Sequence, residues 1–183
     1  MPQMGRGILF IGMLRNRYND IEYRGGLRYM TSEVHRIGSQ LKRSYEGGAW
    51  HGPSVLEVIE GVEWEQAFQK PITGFHSICE LILHIAAWAE VGARALNGDV
   101  YGSLPDEADW PDVGAPSGAS WEMALKKCSE AQAKLRDSLK RYSVDGLHET
   151  LPGKEYSMYF LLQGILQHNV YHAGQIAVLK RAG

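Results

Sequence analysis

Cysteine is scarce in this chain, charge of either sign is nearly balanced, and no useful stretch alternates apolar and polar residues with the two-residue period of a half-buried strand. Only Cys79 and Cys128 occur, both in helix-patterned sequence. That suits two reduced thiols, small buried hydrophobes in a cytoplasmic protein, better than a disulfide framework. Lys and Arg number 19 against 21 Asp and Glu, scattered along the chain. No basic patch therefore marks nucleic acid or an anionic membrane surface as a partner. No apolar run approaches the roughly 20 residues of a membrane span. A small molecule or another protein is the partner class that remains. At 183 residues the chain can bury a full core without a structural metal, so a metal would serve chemistry.

The first 29 residues stand apart. Their short apolar run, Gly7 to Leu14, contains two glycines and is followed by Arg15, Asn16 and Arg17 rather than by a small-residue cleavage site. This does not match a signal peptide. Residues 1–29 read as a poorly ordered N-terminal extension, residues 30–183 as the folded domain, and Met30, directly before the first helix signal, as the true start.

Helical periodicity fills the rest. The first long helix starts near Thr31 and Ser32, carries Val34, Ile37, Leu41 and Tyr45, and stops at Gly47-Gly48. A turn, AWHGPS, follows at 49–54, and then two short helical pieces, SVLEVIEG and WEQAF. The second long helix opens on Ser77-Ile78-Cys79-Glu80, a capping box. Its stripe runs Ile78, Leu81, Ile85, Trp88, Ala95 and Leu96, and it stops at Asn97-Gly98. Residues 99–119, with three prolines, read as a loop. Ser120 is taken as the cap of a third helix reaching about Tyr142, and a fourth runs from near Ser157 to Arg181. The fold class is all-α: a four-helix bundle with long connections and short extra helices between its first and second helices. Gly92, Gly164 and Gly174 interrupt these helices at a cost of about 1 kcal/mol each relative to Ala. Close approach of another backbone is the expected reason.

Within these apolar helices lie three histidines that need partners. His84 sits at the edge of the second helix's stripe, and His168 and His172 occupy inward positions of the stripe Leu161, Ile165, His168, His172, Ile176, Leu179. Two histidines four apart on a helix share one face, and a third from a neighbouring helix completes a three-imidazole cap on a divalent ion. Three protein ligands leave coordination positions open, as in catalytic sites. Measured from their caps, the histidines lie very roughly 10, 16 and 22 Å along their helices at about 1.5 Å per residue. Stagger or tilt must absorb that mismatch of one to two turns.

The set HSICELILHIAAW, the AWHGPS turn and QHNVYHAGQIAVLKR, in this order, resembles the DinB-like family of four-helix-bundle metalloproteins, over about Met30 to Arg181. The resemblance implies a bundle with unusual handed connections, commonly a homodimer, carrying nickel, zinc or a similar ion on three histidines. By position these are His84, His168 and His172. It further implies relation to transferases or isomerases that use bacillithiol or mycothiol, alongside members with no assigned reaction.

Other residues have ordinary explanations beside sharper ones. His51 is an exposed turn histidine by default, and a proton-transfer or pocket-wall candidate if its turn folds over the metal; Trp50 beside it is a candidate for the mouth of the pocket. Glu80 and Gln175 lie within a turn of His84 and His172, where an outer hydrogen bond could orient a ring; capping suffices to explain Glu80, while both readings of Gln175 weigh equally. Trp88 reads as core with one edge on a cavity, and Tyr171 as packing, pocket or dimer contact. His148 and Tyr156 precede the fourth helix, where the pocket mouth is expected. His35, His76 and His148 count as surface or helix-end residues.

The expected function is a metal-dependent enzyme that activates a thiol or water for a small-molecule substrate, a thiol S-transferase in its specific form. A metal-dependent hydrolase would use the same ligands. A non-catalytic metal-binding or dimeric interaction bundle is the remaining alternative. Three imidazoles suit zinc, nickel, iron and copper alike, so the spacing leaves the metal undetermined.

Overall fold

The computed structural model describes residues 32–99 and 104–183. The expectations for the N-terminal extension and for Met30 lie outside the described residues. Four long helices, α1 (Glu33–Glu46), α4 (Ile78–Leu96), α6 (Gly118–Lys140) and α7 (Met158–Ala182), form the bundle. Two short helices, α2 (Val55–Ile59) and α3 (Trp64–Phe68), lie between the first and second long helices, and α5 (Asp106–Asp109) lies between the second and third. There is no strand among the described residues, and the all-α bundle expected from the periodicity is the observed class.

Local chemistry sets the helix starts. Ser32 accepts from the His35 backbone N–H to open α1, and Ser157 does the same for Phe160 at α7. Ser77 and Glu80 form the full capping box of α4: the Glu80 backbone N–H donates to Ser77 Oγ at 3.2 Å, and the Ser77 N–H donates to the Glu80 carboxylate at 2.6 Å. The third long helix departs from the expected cap. Ser117, not Ser120, accepts the capping bond, and Ser120 supplies the N–H, so α6 starts at Gly118 and ends at Lys140. The proline-rich connection is likewise not wholly irregular, since it contains α5.

Around the bundle, α4 packs on α6 and α7, and α1 packs on the same two helices. Helices α1 and α4 thus face each other diagonally, and the chain crosses from one to the other through α2, packed on α1 and α7, and α3, packed on α4 and α6. This arrangement changes the expectation for α4. Covered by its neighbours, it buries 15 of its 19 residues rather than one stripe, as a helix apolar on nearly every side should. Leu41, Ile85, Leu135 and Ile176 sit at the centre, fully buried.

The helix glycines separate into two kinds. A Cβ on Gly92 would come within 2.5 Å of Ile165 Cδ1 and 2.8 Å of Leu135 Cδ1, so the missing side chain lets α6 and α7 side chains close on α4. The approaching atoms are side chain, not the backbone that was expected. At Gly164 and Gly174 nothing comes within 4 Å, so packing explains neither. Polar groups also link the bundle: Asn169 of α7 donates to Ser44 Oγ of α1 at 3.2 Å and accepts from Gln132 of α6 at 3.4 Å, all three buried.

A candidate metal centre

The axial mismatch between the three histidines is absorbed by the packing of α4 on α7. His168 Nε2 lies 2.9 Å from His84 Nε2 and 2.9 Å from His172 Nε2. The i, i+4 spacing puts the α7 pair on one face, and the capping box sets the cap of α4, Ser77, seven residues before His84. His84 and His172 are only 5% and 4% exposed, and His168 is half-buried.

Outer hydrogen bonds choose which nitrogens face inward. His84 Nδ1 donates to the Asp109 backbone carbonyl at 2.6 Å, with the Asp109 carboxylate 3.3 Å away. His172 Nδ1 donates to Gln175 Oε1 at 2.6 Å, and the Gln175 amide donates in turn to the Tyr171 hydroxyl at 3.0 Å. Both rings therefore spend their proton on the outside and turn bare Nε2 lone pairs to the middle. His168 Nδ1 is buried and meets no hydrogen-bonding partner.

The arrangement fits a divalent cation. One proton on His168 Nε2 cannot serve both neighbouring lone pairs fully, whereas one cation serves all three nitrogens. Nitrogens held about 2.0–2.1 Å from one ion lie about 2.9 to 3.4 Å apart as the angle between them opens from square to tetrahedral. The observed separations of 2.9 Å fall at the start of that range. His84, His168 and His172 thus form a group that could hold a metal ion.

Burial keeps the imidazoles neutral, the form that binds metal. It pushes His168 down to about 3, aided by the neighbouring His172 and His84, and His172 down to about 4 against the opposing Gln175 bond. Burial also lowers His84, with the Asp109 carbonyl and carboxylate pulling the other way.

An aromatic cover closes one side. Trp110 lies nearly parallel to His84, centroids 3.9 Å apart at 1°, and to His76, 3.5 Å apart at 7°, so its indole is sandwiched between the two imidazoles. Asp109, adjacent in sequence, also accepts from Trp88 Nε1 at 2.8 Å and fixes that ring. The sequence reading missed both residues because they fall in a connection read as a loop. A tryptophan inside the acidic, proline-flanked run DEADW is the signal that could have found them. His76 is exposed, as expected of a helix-end residue, yet it completes this stack.

The other anticipated residues divide. Gln175 makes the outer bond to His172, and Tyr171, though 63% exposed, ends the same chain. Glu80 caps α4 and pairs with Lys70 at 2.8 Å. Burial would raise its carboxyl, but Lys70 and the Ser77 N–H outweigh this and hold it below the usual range. Trp88 is half-buried and, with Tyr156, Phe160, Leu161, Gly164, Ile165 and His168, lines a cavity of about 290 Å³. Trp50, 85% exposed, and His51 lie in the turn after α1 and are not among those lining residues. His148 packs its ring on Tyr159.

Fold and site together define a helical-bundle protein with a three-imidazole centre suited to a metal. Residues 49–176 match the DinB superfamily, and the chain belongs to it; all three histidines fall inside the match. No curated protein and no solved structure matches the chain. Among the described residues, no helix is long and apolar enough to cross a membrane.

Proposed function

We propose that the chain is a metal-dependent enzyme in which His84, His168 and His172 hold a divalent ion, zinc or nickel, and a small-molecule substrate is presented from the cavity beside His168. The observation that carries this reading is the meeting of three Nε2 atoms, two of them oriented by outer hydrogen bonds. The cavity wall includes His168, which supports an enzyme over a closed store or a purely structural bundle. When bound, the ion lowers the pKa of a neighbouring thiol or water and makes a nucleophile available near neutral pH.

The chain's own groups do the positioning. The Asp109 carbonyl and Gln175 hold the His84 and His172 tautomers, burial keeps the rings uncharged, and Trp110 covers the flat face of His84. In its specific form the reaction is transfer of a low-molecular-weight thiol, bacillithiol or mycothiol, to an electrophile. Membership of the superfamily supports that form. A homodimer belongs to the same proposal, and the exposed Phe160, Tyr171 and Val178 of α7 offer it apolar surface.

The test is turnover of an electrophile by metal-loaded protein with bacillithiol, mycothiol or glutathione, against His168→Ala. Thiol consumption that vanishes in the variant is the expected result. No consumption with any of the three overturns thiol transfer, and hydrolysis of an activated ester is then the reaction to measure.

A further inference from the structure

We propose that the cavity beside His168 binds the uncharged aromatic part of the substrate, and that Gly164 sets how large that part is. Its designation as a substrate site rests on the metal-dependent reading above; the binding itself does not.

The wall contains no Asp, Glu, Lys or Arg. An anion seated there would lose water and meet no cationic side chain, which selects against anionic groups. Three of the lining side chains, Trp88, Tyr156 and Phe160, are aromatic, and the Tyr156 and Phe160 rings lie 5.4 Å apart at 41°. Such surfaces favour a ring that can meet them edge-on or offset. The wall is also fixed in part: Asp109 holds Trp88 Nε1, and the Leu151 N–H donates to the Tyr156 carbonyl at 3.0 Å. At about 290 Å³ the space lies near the lower bound of small-molecule sites, about 300 Å³, enough for one ring with its substituent.

Gly164 supplies the second, independent observation. It stands inside α7, where glycine weakens a helix, and a Cβ there would meet nothing within 4 Å. Packing does not require it, in contrast with Gly92. What its missing side chain leaves is room at the cavity wall, one turn before His168. A ring seated in that room lies against the imidazole whose Nε2 faces the other two histidines.

The experiment titrates full-length protein, stripped of metal so that no cation captures the anion, with 4-fluorobenzyl alcohol and with 4-fluorobenzenesulfonate, followed by fluorine NMR. The neutral ring should bind, and the sulfonate should bind at least about tenfold more weakly. Gly164→Leu, which fills the space with a better helix former, should weaken the neutral probe by about tenfold or more while the metal content before stripping stays unchanged. Gly164→Ala should raise thermal stability and keep most of the binding. Failure of the neutral ring to bind the wild-type chain, equal binding of the sulfonate, or unweakened binding in Gly164→Leu overturns the proposal. Binding that responds to Gly164→Leu in a chain that holds no metal even before stripping supports the aromatic site and removes only the metal-dependent reading.

Discussion

His172 Nδ1 lies 2.6 Å from Gln175 Oε1, a contact that spends the ring's proton on the outside and turns its other nitrogen toward His168. Gln175→Ala removes that acceptor and frees the tautomer. Metal affinity is predicted to fall by about 10- to 100-fold, as loss of such outer bonds does elsewhere. Competition with a chelator measures it, and Gln175→Glu, which keeps the acceptor, should retain most of the affinity.

Trp110 covers His84 at 3.9 Å, and burial is the main reason that imidazole is pushed below its ordinary pKa. In metal-free Trp110→Ala the His84 pKa is predicted to rise toward the usual value of about 6.5. A histidine NMR titration reads this directly; an unmoved value means that the stack does not shield the ring.

Metal-free protein should lose stability in acid. His168 and His172 stay neutral when folded down to about 3 and about 4. The unfolded chain takes up these protons near pH 6.5, so below that value protons favour unfolding, and stability falls as pH drops toward the folded values. Urea midpoints measured from pH 7 to pH 4.5 should decline, and bound metal should lessen the decline at its upper end.

How much of this was legible in the residues follows from what each signal measures. Ser77 and Glu80 announced the start of α4, because a capping box is a local bond pattern. The facing of His168 and His172 followed from their four-residue spacing. Their meeting with His84 did not, since distance along one helix says nothing of stagger against another. Ser120 carries a capping hydroxyl as good as that of Ser117 three residues earlier, and only the fold shows that Ser117 accepts and the Ser120 N–H donates, which is why the expected cap fell one turn late. Asp109 and Trp110 reach the site from a proline-rich connection, where no periodicity exists to read. At Gly164 a helix glycine implies close approach of a neighbour, whereas the fold leaves open space there.

Asn169 joins three helices through Ser44 and Gln132 in the core. Asn169→Ala leaves buried partners unsatisfied, and we expect about 1–3 kcal/mol of lost stability in urea unfolding with metal content unchanged. An undiminished midpoint would show that the network contributes nothing.

Burial pushes the Cys79 and Cys128 thiols up to about 12. Neither should react with a disulfide reagent at pH 8 in the native protein, and both should react in denaturant. Above the unfolded thiol's pKa of about 8.5 the unfolded chain loses protons that the folded one keeps, so these thiols weaken the fold as pH rises from there.

Metal analysis of protein purified without a histidine tag tests the three-imidazole centre most directly. Stoichiometric divalent metal in the wild-type chain is predicted, lost in each of His84→Ala, His168→Ala and His172→Ala while circular dichroism stays helical. Metal content unchanged across all three variants would contradict it.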